Sequence, residues 1–386
     1  MTEGILYFGN FEDTGVGYAA RGYLQVLREL GYDCDVVRAV TAYGQFNPIP
    51  NLADYFVNPA HGDARFTTQI VHANPVEAHR YISCDDDIKR KVLVTFWETD
   101  RLPQSSIQYP LVFGGFKTLN VIDSLKQFDE IWVPSNFVKS VFDDAGLTAR
   151  VVPHVIPSEF LLDIEDTKKK AVSHEGCRFY TVGTWDRRKN PAKLLQAYID
   201  TGWTHEDKVN FYMHLLPANR TREALNEHAK LVSDSFLRAS DGIELPPVTT
   251  NTIPLPVERL VGMHRGGDVF VTASRGEAAC YDAIIAAAYG NVVIGGGGPA
   301  LQDLQGVSPD NVRLLEQVVT PVVTDSTYPW FDIDQNWFDY RTDDLRDSLV
   351  SAKESLKVLK LEGSAPATKY YTAKNIAKSL PDWNIK

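Results

Sequence analysis

The sequence predicts an α/β protein of two Rossmann-like lobes, each a parallel sheet with helices on both faces, and two observations predict it. At 386 residues the chain exceeds the ~250 to 300 residues at which a single hydrophobic core stops growing, so two domains are expected. Short β-rich runs alternate with helical stretches from one end to the other, the arrangement that parallel strands require because each crossover must return along the sheet. Hydrophobic residues at 44% and charged residues at 23% match globular usage, which excludes a disordered chain and a coiled coil.

In the first half the strands are read at Ile5 to Phe8, Asp35 to Arg38, Gln69 to His72, Val92 to Phe96, Glu130 to Pro134 and Arg150 to Pro153. A helix follows the first strand, with Ala20, Leu24 and Leu27 at i, i+4 and i+7 and Gly31 where a helix would end. Residues 161 to 176, LLDIEDTKKKAVSHEG, are charged and weakly periodic and read as a linker. The pattern then restarts with strands at Arg178 to Val182, Asn210 to His214, Val269 to Ala273, Asn291 to Ile294 and Pro321 to Val323. Helices are read at Ala192 to Ile199 and Tyr281 to Tyr289, and Lys369 to Leu380 reads as a terminal helix. Gly295 to Gly298, directly after a strand, mark a place of close backbone approach.

The net charge of -11 argues against a broad nucleic-acid surface, whose affinity would come from Lys and Arg displacing counterions, and leaves room for a local basic site. Cys34, Cys84, Cys177 and Cys280 lie far apart with no CxxC spacing. Neither a zinc site nor a disulfide framework is expected, and a reducing compartment fits. MTEGILYFGN has no basic region before an apolar stretch, and no run reaches the ~18 apolar residues of a membrane span, so a cytoplasmic location without a transmembrane segment is expected.

Three constellations could carry chemistry. Gly15-Val16-Gly17 lies between the first strand and the first helix, where backbone N–H groups could face an anion at a helix start. The plainer reading is a tight turn. Arg187-Arg188-Lys189, followed by Asn190-Pro191, stands between a strand and a helix. Two guanidiniums and an ammonium there suit a diphosphate, or else form a solvated loop. Ser274-Arg275-Gly276-Glu277 follows a strand and precedes a helix. The carboxylate there could accept sugar hydroxyls or simply cap the helix.

Around these residues the chain resembles the retaining family-four GT-B glycosyltransferases. LPVERLVGMHRGGDVFVTASRGEAACYDAIIAAAYGNVVIGGGG looks like their donor-binding segment and GTWDRRKNPAKLLQAYID like their phosphate-binding segment. FDEIWVPSNFVKSVFDDAGL with VVPHVIP, IVHANP, VTFWETDRLP and the glycine-rich GVGYAARGYLQVLRELGYD extend the match, in order, over most of the chain. The resemblance implies two lobes with a cleft between them, residues 1–165 joined by a returning segment 365–386, and residues 166–364. It implies that Glu277 contacts the donor sugar, that Lys189 with Arg188 or Arg187 neutralises the leaving diphosphate, and that Gly15 and Gly17 approach the same diphosphate. Ser274, Arg275, Ala279, Cys280 and Tyr281 fall in the implied donor-binding loop. Such enzymes need no metal or cofactor, because cations and helix ends stabilise the leaving group.

VTFWETDRLP most resembles a subset with a Trp-Glu pair, in which Glu98 would orient acceptor or sugar beside Trp97. A plain helix-start or surface acid is the alternative for Glu98. His72 and Asn74 close the third strand, where ligands collect in α/β sheets. A lone histidine there is equally read as a satisfied structural group. The chain departs from the family at three positions. Ile285 replaces the second glutamate, which contacts the nucleotide ribose, and Ala278 and Asp282 replace the usual glycine and proline.

The function implied is transfer of a hexosyl or pentosyl group from a nucleotide sugar, with retention, to a glycan, lipid-linked saccharide, protein or DNA. A virus-type DNA or nucleotide glycosyltransferase sharing the donor site is a second reading. A noncatalytic nucleotide-sugar or glycan-binding protein, supported by Ile285 and Asp282, is a third. On this reading Glu277→Gln should lower turnover and leave the melting temperature nearly unchanged.

Overall fold

A computed structural model of the chain describes residues 4–12, 14–32, 34–38, 66–104, 106–110, 116–161, 176–217, 226–234, 247–296, 298–323, 330–359 and 366–380. All but the ends of the expected linker fall outside them, as does Gly297. The chain divides into two compact units, Met1–Pro157 with Thr324–Asn336 and Tyr371–Lys386, and Ser158–Val323 with Trp337–Tyr370.

The first unit contains β1 (Gly4–Gly9), β2 (Cys34–Arg38), β3 (Phe66–His72), β4 (Arg90–Val94), the antiparallel pair β5 (Ile107–Pro110) and β6 (Phe116–Leu119), β7 (Glu130–Val133) and β8 (Ala149–Val151). The main sheet runs β2-β1-β3-β4-β7-β8 with every neighbouring pair parallel. Its middle strands are buried without alternation, Gln69–His72 in β3 and Val92–Val94 in β4, as strands covered on both faces must be. Helix α1 (Gly15–Glu29) starts where the Thr14 hydroxyl accepts the Gly17 N–H at 3.2 Å. It buries Ala20, Leu24 and Leu27. It stops at Gly31, φ 85°, where Tyr32 N–H returns to Leu27 O at 3.0 Å. After α2 (Val121–Leu125), α3 (Asn136–Asp144) repeats this grammar with Ser135 as cap and Gly146, φ 75°, as stop.

The second unit begins with α4 (Ser158–Leu161), β9 (Cys177–Thr184), α5 (Pro191–Ile199), β10 (Val209–Leu216) and β11 (Val248–Asn251). It continues through α6 (Val257–Gly266), β12 (Val269–Thr272), α7 (Tyr281–Ala288), β13 (Val292–Gly295), α8 (Ala300–Val307) and β14 (Val312–Leu314). The strands β15 (Val318–Pro321) and β16 (Asn336–Asp339) pair separately, and α9 (Thr342–Leu359) and α10 (Pro366–Tyr370) follow. The main sheet runs β11-β10-β9-β12-β13-β14, again with every neighbouring pair parallel. Phe179, Phe211, Val271 and Ile294 from four strands pack with Leu194 and Tyr198 of α5 and Leu345 and Leu349 of α9. Each such fully buried side chain contributes ~1.5 to 3 kcal/mol of apolar transfer.

Several expected elements are corrected. Only Pro321 of the strand read at Pro321 to Val323 is in a strand, and that strand belongs to the separate β15–β16 pair. The two strands that finish the main sheet edges, β11 and β14, are three or four residues long and too short to show a pattern. The single terminal helix is two: α10 in the second unit and α11 (Ala373–Lys378) in the first. Between them Tyr371 O accepts Ile156 N–H at 2.9 Å, and Thr372 caps α11, whose packing partner is α1. The strand read at Val92 to Phe96 ends at Val94, and Thr95 instead donates its hydroxyl to Ala73 O at 2.8 Å.

Candidate functional site

In the second unit the chain runs outward from β9 through β10 to β11, then resumes at β12 on the other side of β9 and runs outward again. The order therefore reverses between β9 and β12, and the carboxyl ends of strands at such a reversal are where ligands collect in α/β sheets. The loop after β9 is built by Asp186. Its Oδ1 accepts Lys189 N–H at 2.8 Å, its carbonyl accepts Asn190 N–H at 2.9 Å, and its other oxygen takes the Thr184 hydroxyl. Asn190 is left-handed, φ 51°, and turns the chain into Pro191 at the first position of α5. The loop after β12 is closed by Ser274, whose hydroxyl donates to Gly276 O at 3.0 Å, and ends at left-handed Cys280, φ 52°.

These two loops are laced together. Arg275 N–H donates to Arg188 O at 2.7 Å, Arg275 Nη1 to Arg187 O at 3.0 Å, and Arg188 Nη1 to Gly276 O at 2.6 Å. Glu277, 6% exposed, receives Lys189 Nζ on Oε1 and has Arg188 Nη1 3.5 Å from Oε2. Burial alone would push the Glu277 carboxyl up, but Lys189 and then Arg188 hold it below its ordinary value. Burial likewise opposes the Lys189 charge, and Glu277 overcomes it, leaving the ammonium above its ordinary range. The result is a fixed carboxylate flanked by two fixed cations.

The basic triplet divides at this point: Arg188 and Lys189 turn inward, while Arg187 is exposed and uses its carbonyl to hold Arg275. Arg275 also donates Nε to Asp339 at 3.0 Å, and Asp339 pairs in turn with Lys193 of α5. Ala279, Cys280 and Tyr281 are buried, and burial followed by the Glu277 charge pushes the Cys280 thiol well up. The glycines after β13 approach other chain closely. A Cβ on Gly296 would lie 2.5 Å from Tyr340 and 3.0 Å from Ser274 O, and one on Gly298, φ 71°, 2.8 Å from Phe338.

In the first unit the order reverses between β1 and β3, and His72, in register with Gly9, ends β3 there. The His72 Nδ1 is 3.0 Å from the Tyr7 hydroxyl and its ring lies edge-on to Tyr23, whose hydroxyl donates to Val152 O at 2.7 Å and sits 3.3 Å from His154 Nδ1. Burial, then His154, lowers the His72 pKa to about 3, so its ring is neutral. Asn74 Oδ1 accepts Val76 N–H at 2.9 Å and starts the following turn. Trp97 is 0% exposed, donates Nε1 to Arg101 O at 2.7 Å and packs edge-on against Phe331. Its neighbour Glu98 is partly exposed. Gly15 and Gly17 are the first turn of α1 itself, and Gly17 is required as glycine because a Cβ would meet Glu12 O at 1.9 Å.

No family model matches the sequence, and no curated protein matches it. Solved structures do. A sucrose-phosphate synthase from Thermosynechococcus elongatus is 13% identical over 98% of both chains with a TM-score of 0.63. The HepE protein of Anabaena, solved with UDP-glucose, is 11% identical over 98% of both chains with a TM-score of 0.62. An α,α-trehalose-phosphate synthase from Burkholderia xenovorans, solved with glucose-6-phosphate, is 12% identical over 81% of this chain and 72% of that one, TM-score 0.53. The fold is that of the GT-B glycosyltransferases.

Within this GT-B fold, sequence reasoning missed several residues that shape the site. Asp186 was visible as the acid two residues before the Arg188-Lys189 pair, although its role as a loop former depends on backbone geometry. Asp339 lies 64 positions from Arg275, and no local pattern could connect them. The buried set Tyr180, His264 and Asn291 left no trace of its own beyond a histidine in step with Leu260 and Val261 on the buried face of α6. Ile285 is 1% exposed, so α7 offers no polar group at that position.

Proposed function

We propose that this protein is a glycosyltransferase that moves a sugar from a nucleotide-sugar donor to an acceptor hydroxyl with retention of anomeric configuration. The observation that carries the reading is the buried Glu277 carboxylate between Lys189 and Arg188 at the reversal point of a nucleotide-binding type of sheet. Glu277, ionised at neutral pH, is an acceptor for sugar hydroxyls and not a proton donor. Lys189 and Arg188 face the charge that develops on the departing diphosphate, and this is where the rate gain resides. The bond from the anomeric carbon to the phosphate oxygen breaks, the acceptor oxygen takes its place on the same face, and the acceptor proton passes to the departing phosphate oxygen.

Because two protein cations meet the leaving group, turnover is expected to persist in EDTA. UDP-glucose and sugar phosphates, present in the HepE and trehalose-phosphate synthase structures, are the first donor and acceptor probes. The test is a screen of nucleotide sugars for hydrolysis and transfer with wild type, Lys189→Ala and Arg188→Ala. Loss of a charge-assisted phosphate contact should weaken donor binding by ~1.5 to 3 kcal/mol in each variant. Unchanged donor affinity in both variants would overturn the reading. We assign the protein to the cytoplasm, supported by Cys34, Cys84, Cys177 and Cys280, none of which is in a disulfide. A noncatalytic nucleotide-sugar-binding protein is the second reading, favoured by the buried Ile285. Thermal stabilisation by a nucleotide sugar without turnover on any acceptor would select it.

A further inference from the structure

Beside Glu277 stands a second carboxylate that the proposed function does not use. Asp282 is in the first turn of α7, with its side chain 30% exposed. Behind it lies a chain of buried polar groups. Asn291 Nδ2 donates to the Tyr180 hydroxyl at 2.8 Å and to His264 O at 2.7 Å, and the Tyr180 hydroxyl is 3.0 Å from His264 Nδ1. Asn291 Nδ2 can only donate to the Tyr180 oxygen, so of these two neighbours His264 Nδ1 is the one that accepts the Tyr180 proton. His264 is neutral, burial having lowered its pKa to about 3, so its remaining proton is on Nε2. That Nε2, on a ring 1% exposed, makes no hydrogen bond and lies 4.0 Å from Asp282 Oδ1. Three groups in series therefore end in a buried N–H 4.0 Å from one carboxylate oxygen.

We propose that Asp282 is a specificity-determining residue of this site, that His264, locked by Tyr180 and Asn291, is its positioning residue, and that the ligand group Asp282 receives is an uncharged hydroxyl and not a phosphate oxygen. The inference rests on the reading of this site as one for a nucleotide sugar. The first turn of a helix ordinarily attracts an anion. Here a side-chain carboxylate occupies that field, so a phosphate arriving at the same place would meet a like charge. A carboxylate accepts hydrogen bonds only, which suits the hydroxyls of a sugar or of a nucleoside. With Ile285 buried and apolar, Asp282 is the polar group that α7 presents in its stead. The groups acting on Asp282 are Lys189 from the loop after β9, Glu277 and Cys280 from the loop after β12, Tyr180 from β9 and His264 from α6. Burial, then Lys189 and Glu277 in opposite senses, leaves its pKa raised to about 6.

The experiment is calorimetric titration of wild type and Asp282→Asn with UDP-glucose, ADP-glucose, GDP-mannose and inorganic pyrophosphate, from pH 5 to 8. In wild type the best sugar nucleotide should outbind pyrophosphate, and the margin should shrink as pH falls through about 6. Asp282→Asn should weaken that sugar nucleotide about tenfold, a ~1.4 kcal/mol loss, leave pyrophosphate as tight or tighter, and flatten the pH dependence. His264→Phe, which keeps the ring and removes the N–H, should move the pH midpoint upward by about half a unit or more, and His264→Gln should restore it. A sugar nucleotide bound equally well by wild type and Asp282→Asn overturns the assignment of Asp282 and leaves the function reading standing. A midpoint unmoved in His264→Phe overturns the role of His264. Wild type that binds pyrophosphate as tightly as every sugar nucleotide, or binds no probe, overturns the proposal, and in the latter case the function reading with it.

Discussion

A buried charge is tolerated only where its partners make up for lost hydration, and at Glu277 those partners are Lys189 and Arg188. Glu277→Gln leaves the buried Arg188 and the half-buried Lys189 facing one neutral amide. Removing one side of such a pair typically costs ~3 to 5 kcal/mol, so chemical denaturation should show a clear loss of stability, where the sequence alone led to an expectation of little change. Adding Lys189→Met to Glu277→Gln should recover part of that loss, and a strictly additive pair would show the contact to be energetically silent. The Glu277 pKa is held below its ordinary 4.5, so its stabilisation is complete above that value and is lost as pH falls through the lower, folded-state pKa. Asp282 behaves in the opposite sense. Its pKa is raised from 3.8 to about 6, so its charge weakens the folded state above pH 6. Asp282→Asn is expected to raise stability at pH 8 by ~1 to 3 kcal/mol, and the gain should shrink as pH falls from about 6 toward 3.8. No gain at pH 8 would show that Asp282 is not strained by burial.

Among elements, α1 shows how two glycines of similar appearance have different causes. A methyl group on Gly17 would meet Glu12 O at 1.9 Å, whereas one on Gly146 after α3 finds nothing within 4 Å and suffers only from the left-handed backbone, φ 75°. Gly→Ala inside a helix gains ~1 kcal/mol in propensity, and a backbone clash that moves the loop outweighs it. Gly17→Ala should therefore destabilise by ~2 kcal/mol or more, against ~1 kcal/mol for Gly146→Ala. Urea melts returning the reverse order would remove close packing against Glu12 as the reason for Gly17. The same close approach limits what Gly17 can offer a ligand, because its N–H is already given to Thr14.

For the whole molecule, the chain leaves the first unit after Pro157 and returns to it at Thr324–Asn336 and again at Tyr371–Lys386. The last return places α11 against α1, with Ile156 N–H bonded to Tyr371 O and Arg150 bonded to Ser379 O at 3.1 Å. Truncation after Tyr370 removes those contacts together with the buried side chains of Ile376, Ala377 and Leu380, and uncovers the part of α1 against which α11 packs. The first unit should then unfold at lower temperature while the second is little affected, which hydrogen exchange can assign by following β3 and β4 against β9 and β12. Equal loss of protection in both would show that the segment supports the chain as a whole.

The sequence by itself determined the class of fold and the central strands, because runs such as Val92–Val94 and Val269–Val271 are short, apolar throughout and rich in β-branched valine, the mark of strands buried on both faces. It also singled out Lys189 and Glu277, since glycine, proline and charge cluster visibly where a strand gives way to a helix. That two of three adjacent cations, Arg188 and Lys189, turn inward was decided by tertiary structure, through Asp186 and the lacing of one loop to the other. So were the short edge strands, whose partners supply the hydrogen bonds that their own few residues cannot advertise. The relay from Asn291 through Tyr180 and His264 to Asp282 belongs to the same group. Its members come from a strand, two helices and the turn before β13, and only burial makes their shared proton pattern unique. Local pattern is legible where one stretch of chain must satisfy itself, and contacts between distant stretches become legible only once the sheet has brought them together.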